Sequence, residues 1–125
     1  APTAELCAEL RRFGFANRSP YAATKWAVIG FTKTLALELG PSGIRANAIA
    51  PGAVEGDRIV RVFRGRAQIS GRSFEEIKAE AMAAQSIQAM VDPADIAQLA
   101  VFLASDAAKA ISGQVIPIDN DRQHA

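Results

Sequence analysis

A long apolar-rich run follows Ser19-Pro20 and ends at Gly40-Pro41, and its apolar residues do not keep to one stripe. Drawn as a helix, it carries Trp26, Ile29 and Leu37 along one side and Val28, Phe31 and Leu35 along another. A helix that is apolar on more than one face is normally covered on more than one face. The pattern therefore predicts a helix over 21–39 with a sheet on one side and a second subunit on the other. Ser19 suits an N-cap, and Pro20 falls in the first turn, where the N–H it lacks has no helical partner. Gly40 is expected to end the helix in the left-handed conformation, with Pro41 unable to continue it.

Beyond it the pattern changes period. Ile44 to Ala50 is short, bounded by Gly43 and Pro51-Gly52, and reads as a strand despite Arg45 and Asn47. Residues 53–72, rich in Gly and Arg, read as a loop with a short helix. Ser73-Phe74-Glu75-Glu76 is a capping-box pattern that opens a helix over 74–84. Asp92-Pro93 opens another, with Asp95 in its first turn and Ile96, Leu99, Ala100 and Leu103 as its apolar face. Gly113 to Ile118 is a last short strand. Before all this, Ala4 to Arg12 reads as two isolated helical turns. Helix, strand, long excursion, helix and strand is the alternation of an α/β fold with a parallel sheet, met from its middle onward.

The totals narrow the class. The chain has 125 residues, half of them hydrophobic and 22% charged, which suits one domain or a piece of one with a packed core. A formal net charge of +1 gives no general attraction to nucleic acid or membrane surface. No apolar stretch reaches the roughly 18 residues of a membrane span, and the start does not read as a signal peptide. Cys7 is the single cysteine, which excludes an internal disulfide and fits a reducing, cytoplasmic setting.

The chemistry concentrates in Tyr21-Ala22-Ala23-Thr24-Lys25. Tyr and Lys at i and i+4 stand one above the other on a helix. A free tyrosine titrates near pH 10, so it is a poor proton shuttle at neutrality. A nearby ammonium favours the phenolate and moves the group toward the working range. Such a tyrosine protonates the oxygen of a carbonyl under reduction or deprotonates an alcohol under oxidation. The spacing alone is common in ordinary helices, where Tyr packs and Lys is solvated.

The context of that pentapeptide is more specific. Ser19 to Ala27, followed by Gly30-Phe31-Thr32 and Leu35-Ala36-Leu37-Glu38, resembles the active-site helix of the short-chain dehydrogenase/reductases. Gly43 to Gly52 resembles the family's next strand and its Pro-Gly turn. Asp92 to Ala97 with Phe102-Leu103-Ala104-Ser105 resembles a later helix, and Ile111 to Ile116 the terminal strand. These four blocks stand in the family's order between about Gly14 and Asp119. The resemblance implies the C-terminal half of a Rossmann-like, doubly wound parallel sheet. Residues 1–13 would be a non-matching segment, 14–125 a partial family domain, and 53–91 a lid over the substrate. It implies an NAD- or NADP-dependent oxidoreductase interconverting a ketone and a secondary alcohol. Tyr21 would be the general acid/base. Lys25 would assist it and bond the nicotinamide ribose. Pro51 and Gly52 would shape the turn under the nicotinamide, and the Val54 backbone would hold its carboxamide. The helix over 21–39 would pair with its twin in a homo-oligomer.

Departures from the family pattern set a second reading beside the first. No residues match the glycine-rich turn that cradles the cofactor's phosphates. The family's carbonyl-polarising Ser, thirteen residues before the Tyr, is replaced by Ala8. The usual Thr past Pro-Gly gives way around Gly56-Asp57. The alternative is thus a non-catalytic remnant, truncated or frame-shifted, that binds cofactor negligibly alone, self-associates through its exposed helix, or serves as an interaction subunit. Arg58, Arg61, Arg64, Arg66 and Arg72 cluster in the lid. They suit a carboxylate or phosphate, but a solvated face is the plainer account. A nucleic-acid module is disfavoured because no aromatic residues alternate with them. His124, with Asp119 and Asp121 nearby, reads as part of a disordered tail and not as a metal site.

Overall fold

The computed structural model describes residues 18–123 and the backbone of Thr3–Cys7. Three parallel strands, β1 (Thr3–Cys7), β2 (Arg45–Pro51) and β3 (Val115–Ile118), form a sheet in the order β1-β2-β3. Among the described residues four α-helices accompany them: α1 (Ser19–Leu39), α2 (Asp57–Ser70), α3 (Phe74–Ala83) and α4 (Pro93–Ala104).

β2 is the centre of the sheet and is buried along its whole length. Its side chains alternate between the two faces. Ala48 and Ala50 meet Val28 and Ile29 of α1, with Val115 of β3 beside them. Ile49 faces the other way, into a cluster with Leu103, Ala108, Ile96, Leu99 and Ala100. Helices on both faces of a parallel strand make the doubly wound α/β arrangement that the family resemblance implied. Small residues toward α1 let that helix lie close to the sheet.

The polar residues of β2 are explained by α4's end. Arg45 is 9% exposed. Its Nη1 donates to the carbonyls of Leu103 (2.6 Å) and Ile111 (3.3 Å), and its Nη2 to that of Ser105 (3.2 Å). Asn47, fully buried, donates from Nδ2 to the Ile111 carbonyl at 3.0 Å and accepts from the Gln114 N–H at 3.1 Å. Both side chains satisfy main-chain groups that the strand itself cannot reach.

Several local expectations are corrected. α1 begins two residues earlier than Tyr21, with Arg18 in the N-cap position, so Ser19 is its first helical residue and makes no side-chain cap bond. At the other end Gly40 stays right-handed (φ −54°) and leads into a short 3₁₀ turn over Gly40–Ser42. The left-handed residue is Gly43 (φ 74°), which reverses the chain into β2. Val28 and Ile29, assigned to different sides of α1, both face the sheet, because they flank the buried Thr32 one turn on. Trp26, Phe31 and Leu37 are the large exposed apolar residues of that helix. Thr3–Cys7 is a strand rather than helix, since the edge of β2 offers a complete row of main-chain partners; residues 8–12 of that expectation lie outside the described residues. The 53–72 loop is largely the helix α2. The caps of α3 and α4 stand as read: Ser73 Oγ accepts from the Glu76 N–H at 3.2 Å, and Asp92 Oδ1 from the Ala94 N–H at 2.8 Å.

The last described residues are ordered by pairing with the segment before α4. The main-chain N–H groups of Ser86 and Ile87 donate to the carbonyls of Asp121 and Asn120, and that of Gln123 to Ala84. The disordered-tail reading therefore fails for residues 119–123, while His124 lies outside the described residues.

Candidate active site

Tyr21 sits in the first turn of α1, on the face that the helix turns toward the end of β2. A cavity of about 440 Å³ opens there, lined by Tyr21, Arg18, Pro51, Gly52 and Val54, and by the loop and helix that follow. Four of the five residues singled out in the sequence thus come together around one space. Lys25 is not in its lining. It stands one turn along α1, with Nζ 5.4 Å from the centre of the Tyr21 ring. Arg18, three residues before Tyr21, holds its guanidinium carbon 5.9 Å from the same ring. The tyrosine ring is therefore attended by two cations, both within reach of its π-face. Thr24 Oγ1 donates to the Tyr21 carbonyl at 2.8 Å, tightening the turn that presents the ring.

The floor is the Pro51-Gly52 turn at the C-terminal edge of β2, the edge where open α/β sheets form their crevices. Pro51 pairs with Ile118 of β3, and the Gly52 N–H donates to the Ile118 carbonyl at 3.1 Å. A Cβ on Gly52 would lie 2.8 Å from both Cα and Cβ of Asp119. Glycine is required here by the close approach of two main chains. Gly52→Ala is expected to lower stability by about 1–3 kcal/mol through overpacking, read from urea unfolding midpoints. An unchanged midpoint would show that the Asp119 turn shifts freely. Val54 forms a one-residue parallel bridge with Val91, flanked by the bonds Val91 N–H to Ala53 carbonyl (2.8 Å) and Glu55 N–H to Val91 carbonyl (2.9 Å).

α2 forms the opposite wall. Phe63, 1% exposed, meets Phe74 of α3 edge-on with ring centres 6.0 Å apart, which sets the rotation of α2. Arg58, Ile59, Val62 and Arg66 then line the cavity, together with Glu55, Gly56 and Asp57 ahead of them. The arginine cluster is thereby divided. Arg61 and Arg64 are exposed and away from the cavity. Arg72 bonds Glu80 and, at 3.5 Å, Glu76. The hydrogen bond and charge of Glu80, with a smaller contribution from Glu76, hold its guanidinium even more firmly protonated than usual. For Arg72 the solvated-face account is the right one.

Sequence reasoning missed Arg18, although its i−3 spacing from Tyr21 was a usable signal. It also missed Asp119, whose place against Gly52 depends on β3. Ala8, the position discussed for the missing Ser, lies outside the described residues. Among the described residues no group of His, Cys, Asp and Glu could hold a metal ion, and no helix is long and apolar enough to cross a membrane.

Residues 8–120 match the family model described as enoyl-(acyl carrier protein) reductase. A curated D-beta-hydroxybutyrate dehydrogenase of Cupriavidus necator is 38% identical over 105 residues, 83% of this chain and 41% of that protein. The chain thus spans less than half the length of that relative. A short chain dehydrogenase family protein from Francisella tularensis superposes with a TM-score of 0.83 at 31% identity, covering 94% of this chain and 50% of that one. The F189W actinorhodin polyketide ketoreductase, solved with NADPH, superposes with a TM-score of 0.83 at 30% identity, over 94% and 46% of the two chains.

Proposed function

The chain belongs to the short-chain dehydrogenase/reductase family, and from that premise we propose that it carries the proton-transferring half of an NAD(P)-dependent oxidoreductase acting on a ketone or a secondary alcohol. The observation that carries this reading is the placement of Tyr21 on the cavity above Pro51-Gly52, with the Lys25 ammonium over its ring.

In the reducing direction the Tyr21 hydroxyl gives its proton to the carbonyl oxygen and is left as phenolate. In the oxidising direction it takes the proton of the alcohol. Lys25 stabilises the phenolate by its charge and would hold the cofactor's ribose by a hydrogen bond from its ammonium. A nicotinamide in the cavity would supply the hydride to the carbonyl carbon, or accept it from the alcohol carbon. The residues fit that end of a dinucleotide: a turn of small residues at the sheet edge, an apolar wall from Val54, and free volume beside the proton donor. The solved ketoreductase with NADPH supports the cofactor class. The nine glycines of the chain include no G-x-G-x-x-G run, so these residues supply contacts to the nicotinamide end only.

The same reading assigns α1 a second task. Trp26, Phe31 and Leu37 are 50%, 56% and 80% exposed, and a second copy of the helix would cover them in a homo-oligomer.

Lys25→Met tests the catalytic reading. In the cofactor-loaded protein it is expected to lower kcat and raise KM for NAD(P)H, each by about tenfold or more. Steady-state kinetics with both unchanged would remove Lys25 from the site and the reading with it.

A further inference from the structure

Resting on the reading of Val54 as the contact for the nicotinamide carboxamide, we infer that Asn120 and Gln85 are positioning residues. Their side-chain amides hold the chain behind Val54 through one shared acceptor, the Ala89 carbonyl. Asn120 Nδ2 donates to that oxygen at 2.7 Å and Gln85 Nε2 at 2.8 Å. A main-chain carbonyl has two lone pairs, so the two donors satisfy it fully. Gln85 Nε2 also donates to the Ile87 carbonyl at 3.0 Å. The N–H groups of Ser86 and Ile87 donate at 3.2 Å to the carbonyls of Asp121 and Asn120, which sets the two amides side by side.

Local conformation explains neither residue. Asn120 has φ 54° and Asp121 beside it φ 56°. Glycine takes that left-handed conformation at no steric cost; what asparagine adds is the amide that reaches Ala89. Gln85 is 3% exposed, and its Oε1 has no donor among the described residues. Turned over, the amide would set that oxygen against two carbonyls, so Ile87 and Ala89 impose the observed orientation. A buried acceptor without a partner is a cost that methionine would avoid. The donor that comes with it goes to Ala89.

From Ala89 the restraint passes along the chain to Val91, 4% exposed, which forms the parallel bridge with Val54. The Val91 N–H donates to the Ala53 carbonyl at 2.8 Å, and its carbonyl accepts from the Glu55 N–H at 2.9 Å. A parallel bridge bonded in this way uses the groups that flank Val54 and points Val54's own N–H and C=O away from Val91. Val54 lines the cavity, so the bridge leaves its main chain to a bound group. The turn that carries Asn120 also meets the cavity floor, because Asp119 is the residue against which Gly52 packs. One short turn after β3 thus ties the floor to the chain behind Val54.

The test is amide hydrogen exchange by NMR on the 125-residue chain. The Val91 and Glu55 amides report the bridge, and the Ala48 amide, bonded to the Gln114 carbonyl at 2.8 Å, reports the sheet. N120G keeps the left-handed conformation and removes the amide; N120D keeps the size and removes the donor; Q85M removes the other donor. Each is expected to speed exchange at Val91 and Glu55 by about tenfold or more, with Ala48 within about twofold. D121G alters the neighbouring left-handed residue without touching Ala89, and should leave the Val91 and Glu55 amides within about twofold of the unaltered chain. Unchanged exchange at Val91 and Glu55 in the three amide variants would overturn the inference. So would a rise shared equally with Ala48, or one that D121G reproduces.

The cofactor reading is judged separately. In the cofactor-loaded protein N120G should raise KM for NAD(P)H by about fivefold and leave kcat within about twofold, since Tyr21 is untouched. Faster exchange with an unmoved KM would keep the two positioning residues and remove Val54 as a cofactor contact. A raised KM without faster exchange would overturn the positioning role.

Discussion

Tyr21→Phe is expected to lower turnover in the cofactor-loaded protein by about a thousandfold, the middle to upper range for loss of a positioned proton donor. Affinity for the nicotinamide cofactor should change by no more than about twofold, because the ring remains and only its hydroxyl is lost. The Phe ring keeps a π-face for the Arg18 and Lys25 cations that stand 5.9 Å and 5.4 Å from the tyrosine ring centre. The variant therefore separates proton transfer from packing. The measurement is kcat with a saturating ketone, alongside a cofactor titration by fluorescence. More than a few per cent of residual activity would mean that another group carries the proton.

The second large effect concerns stability. Arg45→Met should destabilise the fold by about 3–5 kcal/mol, since each buried carbonyl left without its donor costs about 1–3 kcal/mol. That is a large fraction of the total for a domain. The last turn of α4 has no basic residue of its own. Its end carbonyls, which a helix cannot satisfy internally, are met instead by Arg45 from the middle of the sheet, at Leu103 and Ser105. The same guanidinium bonds the Ile111 carbonyl, just before β3. Methionine has similar length and no donor, so it would leave these carbonyls unpaired inside the core. Urea unfolding followed by circular dichroism gives the value, and a loss below about 1 kcal/mol would show that water reaches α4's end.

Features resting on neighbours in the chain were legible before any coordinates. Tyr21 and Lys25 had to share a helix face because they are four residues apart, and the caps of Ser73 and Asp92 bond only within the next turn. The apolar face Ile96, Leu99, Ala100 and Leu103 followed from its period. The order of the elements was enough for the parallel α/β class.

The remaining features depend on groups far apart in sequence. Ser19 had the right chemistry for a cap, but the route of the chain into α1 put Arg18 there, and the left-handed turn expected at Gly40 came at Gly43, after a 3₁₀ turn. Thr3–Cys7 became a strand because β2 had an edge to complete. Arg45 and Asn47 looked like flaws in a strand until α4 and the Ile111 carbonyl stood opposite them. Gly52 looked like a turn residue, whereas the main chain of Asp119 leaves it no room for a side chain. The five arginines between residues 58 and 72 were alike in sequence, and the packing of α2 put Arg58 and Arg66, but not Arg61 and Arg64, in the lining of the cavity. Local spacing decides which residues share a face; what that face meets is decided by packing between distant segments, and the cavity is made there.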